Sequence, residues 1–514
     1  MIKCYIVYDA SVKIPVGIEY GNIWQFGNFD ECMAIKTDIV QDGVDITPKY
    51  CLADIEYETS HIKNVVLQRS KLKTNSTTVH FGICTPSSCS SNDIILLLTY
   101  VTNGLNHIKI TSNKCHTNEV TTYSSTDILY GCAIIFFLLM TVFSTLYHCF
   151  TIYSHKCNDI KDSRNSFDLV MKSFSVVENL KKLVKGSSDE NGLSCINGIK
   201  ACAMLFILAG HALVFFLGGP VQNAAFFESA SKKIQNAFLL NSPLLVDLFL
   251  LLSGFLFARL LLLELDKRNG KVNFLMLYVF RYISEVYDLS ANEYFFTTYG
   301  KTHMRATAYV FGILVGYIVH TLQDKNISIP RYLQHILWTL STLVGLLSMF
   351  YVTVYYHDGY HYTVMEAGLY AALHRFGWSF ANGWLVLACV MGYGGPLKRF
   401  LSCRALIPFS RLTYCAYLTN GFVELYLFSS VRTGRYMSVT SLLGDTLSHT
   451  ILTFLAALIL CLMFESPIHG IEKIFIKRSV PPKRLSSKND KNTSINNNNS
   501  RSTSSESAES IETA

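Results

Sequence analysis

Several stretches of this chain run about 18 residues or more with almost no charge, the length that crosses bilayer hydrocarbon as a helix. That feature constrains the fold more than any other. A membrane interior offers no water to unpaired backbone groups, so only helices and closed barrels can span it. The runs here do not alternate with the period of two that barrel strands need. The expected fold class is therefore a multi-pass α-helical membrane protein. Composition agrees: half of the 514 residues are hydrophobic and 16% are charged, where a soluble domain carries roughly a quarter charged. The apolar runs predict about eight spans, at Asp127–Tyr153, Ile196–Leu217, Leu244–Leu263, Ala306–Leu322, Leu333–Tyr355, Ala372–Gly392, Leu406–Phe428 and Leu443–Phe464.

The first 127 residues differ in kind. They are polar, rich in turn signals, and hold Cys4, Cys32, Cys51, Cys84, Cys89 and Cys115. An even cysteine count in a compact segment before a span points to disulfides and an exoplasmic location. Six cysteines allow many pairings, and the sequence selects none of them. Asn75-Ser76-Thr77 is a glycosylation sequon that suits the same side. Residues 1–30 show no apolar core of signal-peptide length, so either the first span translocates this region unaided or the chain start is incomplete.

The predicted organisation is a small disulfide-rich exoplasmic domain over 1–127, a first span over 128–153 and a cytosolic linker over 154–194. A membrane domain over 195–466 and a basic, then Ser/Asn-rich tail over 467–514 complete it. The stretch after the first span holds Lys156, Lys161, Arg164, Lys172, Lys181, Lys182 and Lys185, and cytosolic loops collect such residues. Counting onward from there produces a conflict. The basic loops around Lys325 and Arg331 and around Lys398, Arg399 and Arg404, and the tail with Lys473 and Lys477, all fall on the outside. One odd block of spans missing between Phe280 and Ala306 would return all three to the cytosol and place the His357–His361 loop outside. The net charge of +7 is then explained by these flanks. No basic face interleaved with aromatics suggests nucleic acid, and there is no P-loop, dinucleotide fingerprint, HExxH or paired CxxC.

Several polar residues in the apolar runs are candidates for chemistry. His211 lies in the run Ile196–His211, where an ionisable group is costly and by default functional. Imidazole suits general-base work on a hydroxyl; a satisfied interhelical hydrogen bond is the bland reading. Lys200 lies 11 residues earlier, about 16 Å along a helix. It reads either as a phosphate ligand or as a snorkelling interfacial lysine. Asp247 opens the next run, with Ser253-Gly254 inside it allowing close helix contact. Arg259, Lys267, Arg268, Lys271 and Arg281 follow on the cytosolic side, as inner flanks or as a seat for an anionic donor. His374, Arg375 and Trp378 read as a helix-start anchor. No metal site is expected.

The order of motifs says more than any one of them. Asp9–Pro15 (DASVKIP), Gly27–Ile35 (GNFDECMAI), Pro48–Ala53 (PKYCLA) and Gly82–Ser91 (GICTPSSCSS) resemble the extracellular domain of the invertebrate nose-resistant-to-fluoxetine family. Gly198–His211, Val246–Leu256, Arg305–Ile318, His374–Trp378, Ser410–Leu418 and Phe464–Pro467 (FESP) resemble the acyltransferase-3 domain that follows it in that family. The resemblance covers about residues 5–478. It implies an integral membrane acyltransferase of the plasma membrane or an endomembrane. Such an enzyme moves an acyl group from a cytosolic acyl-CoA-like thioester, bound only as substrate, to a hydroxyl-bearing lipid or other acceptor. Membrane lipids and that donor are the expected partners. The resemblance makes His211 the base and assigns donor binding to Lys200, Asp247 and Arg281.

Departures from the pattern matter. Lys200 stands where the family usually has Arg, Ser284 replaces the second arginine of the Arg281 motif, and Asn420 stands where His is common. The family's acyltransferase domain implies about ten helices, three more than are legible here, with the gap near 283–294. Upstream cysteine-containing sequence and a signal peptide would also precede Met1. The chain is then either an acyltransferase with an impaired domain, a lipid or small-molecule carrier, or a catalytically dead receptor-like splice product.

Overall fold

The computed structural model describes residues 8–13, 16–35, 47–58, 76–101, 108–109, 114–118, 122–158, 166–185, 192–267, 302–357 and 360–479. Arg281, Asn75, Cys4 and the 283–294 junction lie outside these residues.

The N-terminal domain is a small sheet with two helices. Strands β1 (Trp24–Gln25), β2 (Pro48–Glu58), β3 (Ser76–Pro86), β4 (Ile108–Lys109) and β5 (Cys115–Thr117) are joined by α1 (Phe29–Met33) and α2 (Ser91–Val101). β2 and β3 pair antiparallel from Pro48 opposite Pro86 to Glu58 opposite Ser76, β1 lies parallel to β3, and β4 and β5 pair with β2. The long pair follows from alternation. Cys51, Ala53 and Ile55 on β2 and Val79, Phe81 and Ile83 on β3 face one core, which Ile94 of α2 covers. Cys32–Cys84 and Cys51–Cys115 are disulfides, while Cys89 is unpaired among the described residues.

The four motifs of this region meet in one knot. The Ala10 carbonyl accepts from Asn28 N at 2.8 Å, and the Gly82 carbonyl accepts from Val12 N at 3.0 Å. Ser11 Oγ accepts from Cys84 N at 3.0 Å, and Tyr50 OH donates to the Phe26 carbonyl at 2.6 Å. Gly27 has φ +63°, and a Cβ at Gly82 would stand 2.0 Å from the Phe26 oxygen. These motifs therefore carry the fold of the domain.

On the same sheet, His80 and Lys114 both contact the Asp54 carboxylate. Burial raises that carboxyl, but the hydrogen bonds from Lys114 and His80 outweigh it and hold the group below its usual range. Because the folded value is depressed, the stabilisation is complete above the unfolded value of about 3.9 and is lost as pH falls through the folded one. Asp54→Asn is expected to lower the thermal midpoint near neutral pH. The gap to the parent chain should close below about pH 4, as thermal melts across that range would show.

The other described residues form helices and the loops that join them. The long helices are α3 (Ser125–Asn158), α6 (Ser194–Gly218), α9 (Pro243–Lys267), α10 (Thr302–Asp324), α11 (Arg331–Phe350), α12 (Val364–Val390), α14 (Ile407–Ser429) and α15 (Val439–Leu460). Short helices α4 (Ser166–Phe174), α5 (Val176–Val184), α7 (Ala225–Ser231), α8 (Ala237–Leu240) and α13 (Gly395–Leu401) sit between them. After α15 come a π turn (Cys461–Glu465) and α16 (Ser466–Ser479). Among the described residues, six helices are long and apolar enough to cross a membrane, or seven if the bent pair α12–α13 counts as one span. α14 is not among them; it carries Arg411, Asn420 and Glu424.

α3 stands at the edge with large apolar side chains such as Phe136, Leu139 and Leu146 exposed, which suits a lipid surround. Its other face is a polar stripe of Thr141, Ser144, Thr145 and His148, at the spacing of one helix side. The stripe docks the junction of α4 and α5: His148 Nδ1 meets Ser175 Oγ at 2.8 Å and Thr145 Oγ1 accepts from Val176 N at 3.1 Å.

Helix directions follow from the contacts. α9 and α10 are parallel, since Gly254 meets Tyr309, Leu251 meets Gly312, Ala258 meets Gly316 and Arg259 meets His320. Glycines at 312 and 316 let the two backbones approach closely. α14 runs parallel to α6, with Ser410 on Asn197, Asn420 on His211 and Phe428 on Phe215. α15 returns against α14 through Glu424–His449.

The cysteine-rich domain rests on one end of the bundle. Gly21 packs on Ala224, and Arg432 lies over the Phe29 ring at 4.4 Å and 3.8 Å from Asp30. α9 leaves that end and α10 starts from it. With this direction, the loops bearing Lys325 and Arg331 and bearing Lys398, Arg399 and Arg404 lie together at the opposite end, tied by Ile329 N donating to Tyr393 OH at 3.2 Å. α16 packs on α4 at that end through Gly470 and Ser173.

Candidate functional site

His211 occupies the body of α6, seven residues before Gly218, inside the span expected over Ile196–Leu217. Asn420 Nδ2 of α14 donates to His211 Nδ1. One turn further along α14, Glu424 faces His449 of α15, with Oε1 and Nδ1 2.7 Å apart. Their side chains are 5% and 1% exposed, so this is a buried acid–base couple. The approach is close but off the hydrogen-bond direction; His449 Nε2 and Asn420 Oδ1 find no hydrogen-bond partner among the described residues. Both Glu424 and His449 lie within electrostatic reach of His211. Buried polar atoms of this kind call for a water or a ligand.

Beside the couple is a cavity of about 50 Å³ lined by Phe215, Phe216, Glu424, Phe428, Arg435, Asp445, Ser448 and His449. Arg435 Nη1 pairs with Asp445 at 3.1 Å. Two loops close the cavity on the domain-bearing side. Gln222 N donates to the Arg435 carbonyl at 2.9 Å, and the Asn223 side chain holds Met437 through both its N–H and its carbonyl. Against these loops and residues 16–22 of the cysteine-rich domain lies a larger open cavity of about 550 Å³, with Tyr20, Asn22, Gln222, Phe226 and Tyr436 in its wall.

The other sequence candidates are placed differently. Lys200 is half-buried on α6, three turns from His211, with no hydrogen bond or ion pair to another described residue. Asp247 is 4% exposed in the second turn of α9. The first turn of that helix packs on α6, where a Cβ at Gly210 would meet Ser242. Arg259 is committed within the bundle: it donates to His320 Nδ1 at 3.2 Å and to the Gln323 side chain, while His320 Nε2 lies 3.3 Å from Asp266. His374, Arg375 and Trp378 lie in the middle of α12 rather than at a helix start. Thr363 caps that helix more than two turns earlier by accepting from Glu366 N, and His374 stacks on Tyr370.

Sequence reasoning did not single out Glu424, His449, Arg435 or Asp445. For Glu424 and His449 a signal was present. Both are ionisable groups inside apolar runs, the rule that selected His211.

The family described as nose resistant-to-fluoxetine protein, N-terminal domain, matches residues 4–98. The Caenorhabditis elegans protein named nose resistant to fluoxetine protein 6 is 21% identical over 650 aligned positions, covering 91% of this chain and 78% of its own length. That alignment is longer than this chain of 514 residues, so the relative holds residues within the aligned span that have no counterpart here. No solved structure matches. The cysteine-rich domain therefore matches the nose resistant-to-fluoxetine N-terminal domain family, and similarity to a protein of that name continues through the helical bundle.

Proposed function

We propose that this is an integral membrane acyltransferase of the acyltransferase-3 type, with the cysteine-rich domain on the exoplasmic side. The observation that carries the reading is the polar set of half-buried His211 with Asn420 and the buried Glu424–His449 couple beside a small cavity. In this reading His211 takes the proton from an acceptor hydroxyl. The alkoxide oxygen attacks the thioester carbonyl, the new C–O bond forms as the C–S bond breaks, and the proton passes to the departing thiolate. Glu424 and His449 form a buried carboxyl–imidazole contact beside these groups. The motif resemblance of α6, α9, α10, α12 and α14 to the acyltransferase-3 domain supports the same reading. A donor held at Lys200 must reach three turns along α6, which suits a thioester on a long arm. Arg281, the other donor-side residue, belongs to the undescribed stretch beside the proposed missing block.

The test is acyl transfer from a radiolabelled acyl-CoA to membrane lipids and other hydroxyl acceptors. It compares this chain with a form carrying whatever native transcript encodes between Ile283 and Ser284. Turnover by the longer form supports the proposal; no turnover by either removes it. The cavity of about 550 Å³ under the cysteine-rich domain favours a second reading, a lipid or small-molecule carrier. That reading expects ligand retention without thioester consumption. A receptor-like product expects stable surface expression with neither.

A further inference from the structure

Two of the motif stretches above take no part in the proposed reaction, and they converge. Cys415 lies within Ser410–Leu418 on α14, and Glu465 lies within Phe464–Pro467 at the end of the π turn that Cys461 begins. The Sγ atoms of Cys415 and Cys461 and a Glu465 carboxylate oxygen all lie within 4.8 Å of one another. Cys415 Sγ donates to Glu465 Oε2 at 2.8 Å, and Cys461 Sγ is 3.5 Å from Ser466 Oγ. Cys415 is 1% exposed and Cys461 4%, in the packed cluster with Met204, Leu208 and Phe454.

Packing alone does not explain this arrangement. A π turn is rare, is marginal in energy and recurs at functional sites. Cys461 and Glu465, at the two ends of this turn, both meet Cys415 on the facing helix. Two sulfurs and a carboxylate within one coordination radius form a donor set suited to Zn²⁺, which takes thiolate at about 2.3 Å and carboxylate at about 2.0–2.2 Å in a tetrahedron. We infer that Cys415, Cys461 and Glu465 form a zinc site, its fourth position open to a water, that ties α14 to the α15–α16 joint at the end of the bundle away from the cysteine-rich domain. Binding releases the thiol protons, so affinity rises with pH.

The test uses the full chain purified in detergent, stripped with a zinc chelator and reloaded with zinc sulfate. The expected content is one zinc per chain. Zinc should block iodoacetamide labelling of Cys415 and Cys461, and the chelator should restore it. Cys195 and Cys389, a second set of buried thiols, should label alike in both states. Cys415→Ser and Cys461→Ser should lose the metal, and Glu465→Gln should weaken its retention at low pH. Labelling of the unmutated chain needs no variant to fold. The inference is overturned if zinc leaves both thiols as reactive as before. It is also overturned if the serine variants keep the same zinc content, or if Cys415 and Cys461 are joined as a disulfide in native membranes.

Discussion

His211→Ala is expected to lower acyl transfer about 10²–10⁴-fold, the usual worth of a positioned general base. The measurement is the initial rate with labelled thioester in membranes, normalised to folded protein. His211 adjoins Ala212, which lines the small cavity, and meets the side chain of Asn420. Full activity in His211→Ala would end its assignment as base. Asn420→His, the residue common there in relatives by resemblance, is expected to retain most of the rate, because a second imidazole can also serve as hydrogen-bond partner to His211. Glu424→Gln removes the carboxylate opposite His449 while keeping the shape. If the two pairs work as one unit, the double variant His211→Ala/Glu424→Gln will be little slower than the worse single variant.

Gly312→Leu is expected to have the largest effect on assembly. A Cβ at Gly312 would stand 2.0 Å from the Leu251 carbonyl and 2.8 Å from Phe255 N; Gly254 and Gly316 are similarly closed, against Tyr309 and against Ala258 and Phe255. These are backbone contacts, so no side chain can swing aside. The helices must part, and overpacking of this kind costs about 1–3 kcal/mol or more. In a membrane the pair has little hydrophobic drive to restore it, since lipid is as apolar as the side chains. The check is thermal aggregation of detergent-solubilised protein. Gly444→Leu, with nothing within 4 Å of its Cβ position, serves as the matched control and should behave as the parent. Equal midpoints for the two variants would refute the close parallel packing of α9 and α10.

α9 and α10 point the same way. A form carrying any further sequence between Ile283 and Ser284 is expected to leave the α9–α10 contact unchanged.

The sequence by itself determined the membrane class, the eight apolar runs that became the long helices, the cysteine-rich domain before them, and the sorting of basic residues into particular loops. Each of these is a property of local composition: hydrocarbon length, cysteine density and charge near helix ends. His211 was legible for the same reason, as a polar group in an apolar run. The tertiary structure alone decided that α10 runs beside α9 and not against it. It also chose Cys32–Cys84 and Cys51–Cys115 from the pairings the count allowed, and it brought Asn420, Glu424 and His449 to one place. Such contacts depend on how each helix is rotated and where it crosses its neighbour. Those angles are set by which glycines admit a close approach and which side chains fill the gaps between helices, and residues 209 apart, such as His211 and Asn420, carry no local trace of that geometry.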